Sequence, residues 1–155
     1  MRKLTVLSVA YPFTKLSRDT SGGAEQVLAA LDHAIVAAGH RSFVVAREGS
    51  RTAGTLASVR VPPGELDVSV VENVHGEVRA TVARVLSEER IDVIHLHGID
   101  FDRYLPAPGL PTIVTLHLPP SWYPRAALRP ARPDTLLCCV SEAQRAGTSS
   151  GEGAA

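Results

Sequence analysis

The segment Leu4-Thr5-Val6-Leu7-Ser8-Val9-Ala10 is apolar on both alternating faces, the pattern of a parallel strand covered by helices on each side. Such strands need crossover connections, and the chain supplies candidates in order. After a polar loop from Tyr11 to Ser21, the residues Ala24, Leu28, Leu31, Ile35 and Ala38 recur at helical spacing until Gly39, which predicts an amphipathic helix with a glycine stop. Ser42 to Ala46 and Thr55 to Val61 read as two short strands, parted by the turn-rich stretch from Arg47 to Gly54. Val71, Val74, Val78, Val82 and Val85 trace a second helical face, weakened by Gly76. Three further strands follow at Ile91 to Gly98, Pro111 to His117 and Thr135 to Val140. Right-handed crossovers assemble this alternation into one doubly wound, mostly parallel α/β sheet.

Composition narrows the class. A chain of 155 residues has room for one core, and 45% hydrophobic with 21% charged residues is an ordinary globular balance. Sixteen basic residues cancel sixteen acidic ones, so no global field holds the chain on a nucleic-acid backbone and no nucleic-acid partner is expected. No window reaches the ~18 apolar residues of a spanning helix. The apolar stretch from Leu4 to Phe13 is broken by Thr5, Ser8 and Pro12, too short and interrupted for a signal peptide, so a cytoplasmic location is expected. Cys138 and Cys139 are neighbours on a strand and point to opposite faces, which suits two small buried residues rather than a disulfide or a shared zinc ion. The stretch from Gly147 to Ala155 has no apolar period and is expected to be a flexible tail behind a domain spanning 1–146.

Ligands of doubly wound sheets sit beyond the carboxyl ends of the strands. That points to Tyr11–Gly23, His95–Asp100, His117–Tyr123 and Ser141-Glu142. Ser21-Gly22-Gly23-Ala24 lies where a loop enters a helix, where free amides and the positive dipole end can receive an anion. The same residues also suit a plain turn and helix start. Their spacing is neither Gly-x-Gly-x-x-Gly nor a Walker loop, which disfavours dinucleotide binding and P-loop chemistry. His95 and His97 face one way, a spacing that metal hydrolases use, but Asp100 falls one place late for that pattern, so no metal is expected. His95 reads equally as a structural histidine bonded to backbone. His117 ends its strand either bonded to a loop carbonyl or as a donor aimed into the crevice. Gly-x-Ser-x-Gly is absent and Ser141-Glu142 has no nearby base, which leaves nucleophilic hydrolysis unsupported. Glu142 serves equally as a first-turn carboxylate of a final helix.

Six segments in order, Leu4–Pro12, Ser21-Gly22-Gly23-Ala24-Glu25, Ala37-Ala38-Gly39-His40, Asp92–Gly98, Pro111–His117 and Val140-Ser141-Glu142, together resemble the N-terminal domain of the GT-B-type "group 1" glycosyltransferases. Those are retaining, nucleotide-sugar-dependent enzymes. The resemblance implies a Rossmann-like domain, the acceptor-side half of a two-domain cleft, with no cofactor. It implies that Gly22 and Gly23 form the glycine-rich loop near the donor diphosphate and the acceptor site. His117 is implied as the residue facing the donor sugar near its reacting carbon, with His97 and Gly98 lining the same crevice, and Ser141 and Glu142 are implied as further donor- or acceptor-binding residues. The family's donor-binding carboxylate motif and basic residues have no match here, so transfer from a nucleotide-diphosphate sugar to an acceptor hydroxyl is expected only with a second domain or subunit. The uncovered cleft edge is expected to support self-association.

Pro119 to Pro133 contains Trp122, Tyr123, Arg125, Arg129 and Arg132 without an acidic residue. Aromatic faces stack on sugar rings and guanidinium groups pair with phosphate or carboxylate, so Trp122, Tyr123, Arg125 and Arg129 are candidates for docking an acceptor. The rival reading from another class is a non-catalytic Rossmann-like module that binds a partner protein or a small phosphorylated ligand.

Overall fold

A computed structural model of the chain describes residues 2–149. Six strands, β1 (Thr5–Val9), β2 (Arg41–Arg47), β3 (Thr55–Val59), β4 (Val93–Leu96), β5 (Thr112–Leu116) and β6 (Thr135–Cys139), form one sheet in the order β3-β2-β1-β4-β5-β6. Every pairing is parallel, so the sheet is wholly rather than mostly parallel, and its strand order is Rossmann-like. The order reverses between β1 and β4, which opens the crevice at their carboxyl ends.

The helices are α1 (Gly23–Ala37), α2 (Val68–Glu88) and α3 (Glu142–Ser149). Gly39 does end α1, with φ +82°, a left-handed conformation that glycine adopts without steric cost. α2 begins three residues earlier than its valine period predicts because Asp67 caps it, accepting from the Val70 amide at 2.8 Å. α3 carries the helix through 149, and the rest of the expected tail, 150–155, lies outside the described residues.

Two cores lie on opposite faces of the sheet. Leu28 and Ala29 of α1 pack with Ala10, Leu16, Val44 and Ala46. Val74, Val78, Val82 and Val85 of α2 pack with Leu7, Val9, Val45, Val59, Ile94 and Leu96 on the other side. No long helix follows β4 or β5. The crossovers are loops with short 3-10 turns at Phe101–Arg103 and Pro120–Trp122, and they add Phe101, Tyr104, Tyr123 and Ala127 to the α2-side core. On the α1 side, Leu136 of β6 and the following Val140 are 61% and 57% exposed. Asp32 of α1, itself buried, accepts from Ser42 Oγ at 2.6 Å and from the Ala53 amide at 2.6 Å, pinning α1 to β2 and to the turn before β3. Cys138 and Cys139 are both free and half-buried.

Candidate active site

The register of β4 on β5 pairs Leu96 with Val114, which brings His97 and His117, each one residue past its strand, onto the same face. His97 Nδ1 lies 3.0 Å from His117 Nε2, and the two ring planes are inclined by only 23° with centroids 5.3 Å apart, so the rings meet edge to edge. The His95 ring lies tilted against His97 with centroids 4.0 Å apart, and its Nε2 is 2.8 Å from the Thr115 hydroxyl. Its partner is a side chain rather than backbone. Burial disfavours the charged form of each imidazole: His97 is held down to about 2, further opposed by His95 and His117, and His95 to about 4, further opposed by His117. His117 is also lowered by burial, with Glu25 pulling the other way. No three-ligand cluster suited to a metal ion occurs among the described residues.

Glu25 ends the segment Ser21-Gly22-Gly23-Ala24-Glu25 and joins the crevice as a residue not expected there. It is buried, 9% exposed, in the first turn of α1, and its carboxylate lies against Gly22, where any side chain at that position would collide with it. Gly22 caps the helix without a side-chain hydrogen bond, so the carboxylate is the group that answers the positive end of α1. The signal in the sequence is an acidic residue three places after the capping position. Across the crevice, Tyr11 is raised above its ordinary range by burial and then by Asp100 and Glu25. Gly22, Gly23, Glu25, His97 and His117 thus gather at the carboxyl ends of β1, β4 and β5.

Gly98 owes its identity to an internal contact. A Cβ there would meet the Tyr104 hydroxyl and come within 2.6 Å of Asp100 Oδ1, two groups that bond each other at 2.8 Å. His97 is only 3% exposed, so it stands behind His117 rather than lining open space. These two residues support the crevice wall from within.

The remaining predicted residues fall at the ends of β5 and β6. A cavity of about 940 Å³ is lined there by Tyr123, Arg125, Arg129, Ser141, Glu142 and Arg145 above a floor of Leu116, Leu137 and Cys139. Trp122 beside it is 63% exposed. Tyr123, expected to offer a ring face to a ligand, is instead 5% exposed and packs against Phe101 with ring centroids 6.2 Å apart. Its hydroxyl oxygen accepts from the backbone N–H groups of His117 at 3.1 Å and Leu118 at 3.3 Å. Satisfying that strand end requires the ring to enter the core. Arg132 is likewise not a loop cation awaiting a partner: it pairs with Asp134 at 3.1 Å and donates to the Pro106 carbonyl.

Ser141 acts as a helix cap, its hydroxyl accepting from the Gln144 amide at 3.1 Å. Glu142 is the first-turn carboxylate of α3 and pairs with Arg145 at 2.9 Å. The unpredicted residue is Gln144. Its Nε2 donates to the Leu116 and Leu118 carbonyls at 2.8 and 2.7 Å, tying α3 to both sides of His117. Ser141-x-x-Gln144 is a capping-box spacing that would have revealed it.

No helix among the described residues is long and apolar enough to cross a membrane. No curated protein is a match for this chain. A family model described as Glycosyltransferase Family 4 matches residues 21–146, a span that holds the glycine-rich entry to α1, the histidine ladder and the cavity beyond β6. The chain belongs to glycosyltransferase family 4 and forms a Rossmann-like N-terminal domain of the GT-B type.

Proposed function

We propose that this domain is the acceptor-side half of a retaining glycosyltransferase, which moves a sugar from a nucleotide-diphosphate donor to an acceptor hydroxyl. The bond from the anomeric carbon to the diphosphate oxygen breaks, a bond to the acceptor oxygen forms, and the acceptor's proton leaves with the diphosphate. Catalysis of this kind demands a held acceptor and a stabilised leaving group at once. The observation that carries the reading is the crevice floor itself: the Glu25 carboxylate beside Gly22 on one wall and His117 on the other. A carboxylate accepts a hydroxyl readily, whereas a diphosphate reaching the Gly22 and Gly23 amides has to displace it. That favours acceptor hydroxyls at the α1 end.

In this reading His117 faces the donor sugar, supported by His97 and Gly98 from behind, and Ser141 and Glu142 edge the cavity into which Arg125 and Arg129 reach. Trp122, exposed at the rim, supplies an aromatic face for a sugar ring. The donor's diphosphate is neutralised by a second domain or subunit, so the chain alone is inactive. The cleft edge where Gly22, Gly23, His97 and His117 gather favours self-association; sedimentation should show dimers at high concentration, and a strict monomer refutes that part. The decisive experiment is sugar transfer with and without a donor-binding half. Transfer only when both are present supports the assignment. Binding of a protein partner without any transfer by the pair returns the domain to a non-catalytic role.

A further inference from the structure

The pairing of His97 with His117 assigns more than proximity. The described residues leave one ring nitrogen of His97, Nε2, buried without a hydrogen-bond partner, while its Nδ1 meets His117 Nε2 at 3.0 Å. One proton lies between the two rings, and which ring owns it decides both tautomers. If His117 owned it, His97 would carry its own proton on the buried Nε2, an orphaned N–H in the interior. Buried N–H groups without partners are rarer and costlier than unsatisfied lone pairs. Placing the proton on His97 Nδ1 leaves only a bare lone pair at Nε2.

We infer that His97 is a positioning residue that donates from Nδ1 to His117 Nε2, which locks His117 into its Nδ1–H form and makes it a hydrogen-bond donor to the ligand rather than a base. The free nitrogen of His117 is well placed for this. Nδ1 makes no hydrogen bond to the described residues and is not sealed from solvent, and the backbone that carries the ring is anchored by its N–H to the Tyr123 hydroxyl. The charged and titratable groups that face the pair are His95, whose ring lies tilted against His97, and Glu25, across the crevice from His117. Burial keeps the imidazoles neutral at ordinary pH, so the tautomer rather than the charge is what the ladder sets. A donor at this position suits an oxygen of a sugar or phosphate, and it cannot take the proton of an acceptor hydroxyl.

The inference rests on the reading that His117 faces ligand, but its test needs none. Two-bond proton–nitrogen NMR of the full chain labelled at histidine nitrogen reads the tautomer of each ring directly near neutral pH. His117 should be Nδ1–H by about tenfold or more, the selectivity of one net hydrogen bond. His97→Asn, whose amide N–H replaces Nδ1–H, should keep that form, and His97→Phe should release His117 towards the Nε2–H form that unconstrained imidazoles prefer. His117 as Nε2–H in the unaltered chain overturns the inference, as does an unchanged Nδ1–H form in a folded His97→Phe. If His97→Phe does not fold, the unaltered chain and His97→Asn still decide. Because no ligand is present, failure here leaves the sugar-transfer reading standing, and absence of transfer with a donor half leaves the tautomer result standing.

Discussion

His75 of α2 and Asp100 of the loop after β4 join across the sheet's switch point, Nε2 to Oδ2 at 2.7 Å. The second carboxylate oxygen of Asp100 accepts from the Tyr104 hydroxyl at 2.8 Å, and the Phe13 ring stands edge-on to His75 with centroids 5.8 Å apart. One carboxylate therefore ties α2, the β4 loop and the β1 loop into a single crevice wall. Asp100→Asn keeps the shape but replaces one acceptor oxygen with an N–H donor, so one of the two partners must turn from donor to acceptor or lose its bond. A loss of about 1–3 kcal/mol in unfolding free energy is expected, measured by urea denaturation; an unchanged midpoint would show that the wall does not depend on this carboxylate.

Gly98 sits under the same network. Adding a methyl group there drives into the Tyr104 hydroxyl and Asp100, neither of which can retreat without breaking its bond to the other. Gly98→Ala should destabilise the domain by about 1–3 kcal/mol, the usual cost of overpacking. Gly76→Ala on α2 supplies the control: its Cβ finds Arg79 at an ordinary 3.6 Å, and helix propensity favours alanine. It should be neutral or stabilising in the same melt.

Acid should weaken the fold through the histidine ladder. His97 is held down to about 2 by burial, whereas an unfolded histidine titrates near ~6.5. Its contribution to stability is complete above that unfolded value and falls as the pH drops towards the folded one, because only the unfolded chain takes up the proton. The slope from His97 approaches about 1.4 kcal/mol per pH unit between neutrality and about pH 4. His97→Asn removes this titration, so its stability should depend less steeply on pH than that of the unaltered chain. Parallel slopes in the two proteins would rule out His97 as the source.

Arg125 and Arg129 reach the cavity from an exposed loop. Replacing both by alanine should leave the melting curve within about 0.5 kcal/mol, as surface substitutions do. With a donor-binding half present, acceptor affinity should fall by about tenfold at low salt and less at moderate salt, the behaviour of exposed cations. Acceptor titration at the two salt concentrations measures both quantities. Equal acceptor affinity in the double variant would remove this loop from the binding surface.

Hydropathy periods along the chain were enough to locate all six strands and the two long helices, because strand and helix periods are local and each apolar face has only one side on which to be buried. Leu4 to Ala10 and the valine ladder of α2 carried that message with no knowledge of their partners. The parallel pairing followed from the same alternation, and so did the placing of His97 and His117 at strand ends and of Gly22 at the entry to α1. Ring partners and burial were not legible in this way. Twenty residues separate His97 from His117, and only the register of β4 on β5 brings Nδ1 to Nε2. Tyr123 could read as a docking aromatic until the loop after β5 folded its ring beneath the sheet. Ser141 could read as a ligand contact until α3 needed a cap. The crossovers after β4 and β5 pack as loops rather than long helices because Phe101, Tyr104, Tyr123 and Ala127 fill the α2-side core from short turns, a choice made by the space left beside α2 and written in no local period.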